Sequence, residues 1–121
     1  MNNTLTDIKI TKCQTSKIND VDFENLVFGN IFTDHMLVCD YKEGAWQQPV
    51  IEPYAPFLMD PSSKVFHYGQ AIFEGMKAYK DAHDEIWLFR PDQNFERFNK
   101  SATRLAMPEI PEDIFIGGLK Q

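Results

Sequence analysis

LFRPDQNFERFNKSATRLAMP, residues 88–108, holds the clearest helix signal in the chain. Pro91 suits a first helical turn, and Asp92 suits the positive end of a helix dipole. Phe95, Phe98, Ala102, Leu105 and Ala106 recur at helical spacing and make an apolar stripe. Glu96 and Lys100 form an i,i+4 pair in the favourable order. Pro108 ends the pattern. Pro111, Glu112 and Asp113 then open another helix that carries Ile114, Phe115 and Leu119. The chain stops inside that pattern, so the expectation is a truncated domain.

Upstream, the signals are those of strands. MLVCDY, residues 36–41, is rich in strand formers, and KEGA is a turn in which Gly44 supplies φ > 0. WQQPVIEPY, residues 46–54, returns as the second strand of a hairpin. Pro49 inside that run predicts an edge strand. Residues 1–27 are polar and read as an extended arm, with Ile8 and Ile10 suited to a short strand. APFLMDPSSK, residues 55–64, is a loop. A short helix is expected over Gly69–Glu74, capped by Gly75. MKAYK and IWLF form a second hairpin around DAHDE. The fold class is therefore α+β, a mainly antiparallel sheet with helices on one side.

Composition bounds the function. The chain has 121 residues, 43% hydrophobic, with ten phenylalanines and a net charge of -6. That is a globular domain, and its acidity argues against nucleic acid or anionic membrane as partners. No apolar run is long enough to span a bilayer, and the first residues lack a signal-peptide pattern, which favours the cytoplasm. Cys13 and Cys39 fit that compartment as free thiols. His35, His67 and His83 show no metal-ligand spacing, so no metal site is expected. There is no phosphate loop and no GxSxG elbow.

Arg97 and Arg104 fall together on the far side of the apolar stripe. Either this is a solvated face, or it is covered by a second domain and a guanidinium there holds a phosphate. Tyr68 and Phe73 are open in the same way: core aromatics, or the wall of an apolar pocket. His67 reads as a hydrogen-bonded structural residue, and Glu74 as a helix-end carboxylate.

Three blocks together resemble one family. LVFGNIFTDHML (26–37), HYGQAIFEGMKAYK (67–80) and LFRPDQNFERFNKSATRLAMP (88–108) look like the N-terminal region of branched-chain amino acid aminotransferases. These are class IV, fold type IV, pyridoxal-phosphate enzymes. The resemblance runs from about Asn25 to the end. It implies an arm over residues 1–25 and an incomplete small domain over 26–121. It also implies that Arg97 binds the cofactor phosphate and that Phe28, Tyr68 and Phe73 line the pocket for the branched side chain. None of the nine lysines matches the family's Schiff-base lysine, which lies in the larger domain beyond residue 121. Lys77 and Lys80 belong to a strand in the family pattern.

The chain alone is thus expected to be inactive. The intact enzyme would transfer the amino group of leucine, isoleucine or valine to 2-oxoglutarate by a ping-pong mechanism, as a homodimer. The rivals are a D-amino acid aminotransferase or an aminodeoxychorismate lyase, against which the FGxxFTDHM arm argues. A stand-alone interaction module or a decayed gene product is the rival from outside the enzymes.

Overall fold

The computed structural model describes residues 7–121, which divide between two compact units, Met1–Leu58 and Met59–Gln121. Each is described by itself.

The first unit is built on the expected hairpin. Strand β2 (His35–Val38) pairs antiparallel with β5 (Val50–Pro53), with His35 opposite Pro53 and Val38 opposite Val50. Between them β3 (Tyr41–Lys42) and β4 (Ala45–Trp46) close a two-stranded ribbon. Glu43 (φ 54°) and Gly44 (φ 79°) both take positive φ at the tip. Two left-handed residues in a row match the twist of the flanking strands, as two-residue hairpin turns require. Tyr41 and Trp46 meet edge to face across the ribbon at 5.3 Å.

β5 is not an edge strand. A short strand β1 (Lys9–Ile10) pairs parallel with it, so the order is β1-β5-β2 and β5 is central. The edge assignment fails because Pro49 lies one residue before the ladder. Its missing N–H is not needed there, and its carbonyl accepts from Lys9 N at 3.1 Å. Pro49 is fully buried. The arm is also held by side chains. Cys13 N donates to His35 Nε2 at 2.9 Å, and Asp34 accepts from Ser16 Oγ at 2.6 Å and Lys17 N at 3.0 Å. Cys13 and Cys39 are free thiols.

The second unit begins with helix α1 (Lys64–Tyr68). The helix expected over Gly69–Glu74 is not there; it lies just upstream. Gly69 adopts the left-handed conformation (φ 60°, ψ 26°) and caps α1 through its N–H to Lys64 O. A glycine that ends one helix this way does not begin the next. Residues 69–77 are irregular. β6 (Ala78–Lys80) and β7 (Ile86–Leu88) form the second hairpin as expected, with Trp87 Nε1 donating to Asp81 Oδ2 at 2.8 Å.

Helix α2 (Pro91–Arg104) starts at Pro91 as read from sequence, but stops before Leu105. Ala106 (φ 53°) is left-handed; its N–H bonds Thr103 O at 3.2 Å, and Met107 N bonds Ala102 O at 2.9 Å. That pair is a Schellman motif, which ends the helix four residues ahead of Pro108. Helix α3 (Glu112–Lys120) follows, entered through Pro111. It packs on the stripe of α2: Phe115 lies 5.7 Å from Phe95 and 5.4 Å from Phe98, and Ala102 and Ile114 are buried. The architecture is α+β, but among the described residues the strands form three separate sheets rather than one.

Candidate functional site

The irregular stretch between α1 and β6 is fastened at both ends, to the residue that caps α2 and to α2 itself. At its start, Gln70 Nε2 donates to Leu105 O at 2.8 Å. At its finish, Asn94 Nδ2 donates to Gly75 O at 3.0 Å and to Glu74 Oε1 at 3.1 Å. The stretch therefore lies antiparallel along the polar face of α2, opposite the stripe that holds α3. Between the fastenings is an open groove of about 490 Å³, lined by Ala71, Ile72, Phe73, Lys100, Ser101, Arg104 and Leu105.

Arg97 sits at the Glu74 end. Its Nε donates to Glu74 Oε2 at 2.8 Å and its Nη2 to Glu74 Oε1 at 2.5 Å, a bidentate fork. Glu74 also accepts from Gly75 N at 2.9 Å. The Arg97 guanidinium, helped by the Gly75 and Asn94 donors, holds the Glu74 carboxyl down at about 2, well below its ordinary 4.5. The same bonds raise Arg97 further above its already high value. Arg97 has five N–H groups, and this fork engages two. The edge formed by Nη1 and Nη2 is left for another oxyanion. Two parallel N–H groups there fit two oxygens of a phosphate, so the donor set suits the phosphate of pyridoxal phosphate.

The predicted pocket aromatics are not core. Tyr68 ends α1 at 82% exposure, and Phe73, on the groove wall, is 91% exposed. Tyr68, Phe73 and Arg97 belong to the second unit. Phe28 belongs to the first, fully exposed on a turn closed by Asn30 N to Val27 O, with Gly29 at φ 80°. His67 has the structural role expected: its Nε2 donates to Pro61 O at 2.9 Å. Glu74 does not. It is no helix-end carboxylate, but the most heavily bonded acid of the site, and Asn94 is its second partner. The signal available for them was the i,i+3 spacing of Asn94 and Arg97 on one helix face. Among the described residues no group of three or more His, Cys, Asp or Glu is placed to hold a metal ion. No helix among them is long and apolar enough to cross a membrane.

No protein-family model matches the chain. Individual proteins do. It is 52% identical over 101 residues to branched-chain-amino-acid transaminase 1 of Bacillus subtilis, covering 83% of this chain and 28% of that protein. It is 45% identical over 112 residues to the branched-chain-amino-acid aminotransferase of Mycolicibacterium smegmatis, covering 92% and 30%. To the cytosolic branched-chain-amino-acid aminotransferase of Saccharomyces cerevisiae it is 46% identical over 118 residues, covering 94% and 31%. The chain thus spans less than a third of the length of these relatives.

Proposed function

We propose that this chain, homologous over most of its length to branched-chain amino acid aminotransferases, is the small domain of such an enzyme, in the fold type IV class. The whole enzyme would transfer the amino group of leucine, isoleucine or valine to 2-oxoglutarate with pyridoxal phosphate, as a homodimer. The names of the relatives favour this over a D-amino acid aminotransferase or an aminodeoxychorismate lyase. The yeast relative's name favours a cytosolic setting.

The observation that carries the reading is the exposure of Tyr68 and Phe73, which this chain's own core does not use. Branched side chains differ by methyl groups, so a site that sorts them must be apolar and shaped. Tyr68 and Phe73 supply aromatic walls that exclude water from the bound side chain, and Phe28 is an exposed aromatic of the same kind within its own unit. Arg97 would hold the cofactor phosphate by its Nη1–Nη2 edge. When bound, the cofactor supplies an electron sink for the substrate's α-carbon. The residue roles and the division into an arm, 1–25, and a domain, 26–121, are part of this proposal.

A chimera tests it. The matching 101 residues of the Bacillus subtilis transaminase are replaced by those of this chain, and leucine transamination to 2-oxoglutarate is measured. The expected result is an active enzyme. In it, Arg97→Ala weakens cofactor binding roughly ten- to a hundredfold, the loss of one charge-assisted contact. A folded, cofactor-loaded chimera with no activity overturns the reading.

A further inference from the structure

Glu74 and Arg97 are unequal partners. The Glu74 side chain is 7% exposed and that of Arg97 68%. The carboxylate is gripped from three directions: by Gly75 N, by Asn94 Nδ2 and by the guanidinium. Asn94 is fixed in turn on α2 and also bonds Gly75 O. Glu74 therefore cannot swing with the arginine. The arginine takes its orientation from the carboxylate.

We propose that Glu74 is a positioning residue that fixes the plane of the Arg97 guanidinium and presents its Nη1–Nη2 edge to a phosphate monoester. This rests on the reading of Arg97 as the phosphate-binding cation. An exposed arginine without such a partner samples many rotamers, and an incoming anion must freeze them. Ordering one long side chain costs roughly two- to tenfold in affinity. Glu74 meets that cost during folding. The same carboxylate opposes binding by its charge, because it sits behind the guanidinium and repels a dianion. The two effects separate by salt. The phosphate would meet Arg97 on its solvent side, and repulsion reaching it there fades when the Debye length falls to about 3 Å, near 1 M salt. Side-chain ordering does not depend on salt in this way. At high salt the positioning effect stands alone.

The test uses the 121-residue chain and pyridoxine 5′-phosphate, which has no aldehyde to react with lysines. Binding is read at 1 M salt from the phosphorus resonance, and the Arg97 Nε–H from nitrogen-correlated spectra. In the parent, the Nε–H resonance is expected to be distinct and protected from exchange before any ligand is added. Glu74→Gln, which keeps the side-chain shape, is expected to average that resonance and weaken binding about two- to tenfold. Arg97→Ala is expected to weaken it further. If Arg97→Ala binds like the parent, or the parent does not bind at all, the reading of Arg97 as the phosphate cation falls. If Arg97→Ala loses affinity while Glu74→Gln binds as tightly as the parent, the positioning role falls and the cation role stands. A parent Nε–H that already behaves like free arginine overturns the positioning role without any variant.

Discussion

Asn99 pairs with both backbone groups of Ile110. Its Nδ2 donates to Ile110 O at 2.9 Å, and its Oδ1 accepts from Ile110 N at 2.9 Å. The side-chain amide thus imitates a strand neighbour and fixes the loop from α2 into α3. Both bonds are partly shielded from water, so removing them leaves two polar groups poorly satisfied. Asn99→Ala is expected to destabilise the second unit by about 1–3 kcal/mol. Urea unfolding of the chain checks it; a change below a few tenths would mean that water replaces the amide.

Ala106 occupies the left-handed position of the α2 terminator, where glycine is the usual residue. The conformation costs an alanine about 1–2 kcal/mol. Glycine loses part of that advantage, about 0.4–1 kcal/mol, through its freer unfolded chain. Ala106→Gly is expected to stabilise by up to about 1.6 kcal/mol, the difference of those terms. The thermal midpoint is the measurement, and a lower midpoint than the parent's would refute the assignment.

The Glu74 carboxyl titrates at about 2 in the fold, against 4.5 ordinarily. Between these values the unfolded chain binds more protons than the folded one, so stability rises with pH. Its contribution is complete above about pH 4.5 and is lost as pH falls toward 2. Glu74→Gln removes this proton linkage. Its stability is expected to fall less steeply than the parent's across that acid window. Denaturant titrations at several pH values read the slope, and parallel curves would contradict the pairing.

Phe73 is 91% exposed, so Phe73→Ala should barely move stability, within about 0.5 kcal/mol. In the active chimera it should raise KM for leucine and narrow the preference for leucine over alanine. A loss above about 2 kcal/mol would return Phe73 to the core.

The two hairpins and α2 were legible because their signals are local. KEGA dictates a turn, and Pro91 dictates a helix start. Gly69 was misplaced because glycine permits a helix start and a helix stop alike, and only its φ of 60° decides. Pro49 stands one position before β5, so its missing N–H says nothing about where that strand sits in the sheet. The site was half legible. Arg97 stood out by its place on the helix, but its partner lies on a stretch with no period to reveal it. The Glu74–Arg97 fork joins residues 23 positions apart, and no spacing rule reaches that far.

The parallel pairing of β1 with β5 has a consequence for the order of assembly. β5 can meet β2 by closing a short loop around Glu43 and Gly44, whereas β1 must return from a distant part of the chain. Loop closure favours the short route first. The β2–β5 ladder then serves as a template, and β1 is the last strand in. By reversal it is the first to leave. The Lys9 and Thr11 amides, bonded to Pro49 O and Ile51 O, should therefore exchange with solvent deuterium faster than those of the β2–β5 ladder, opening below the free energy of global unfolding.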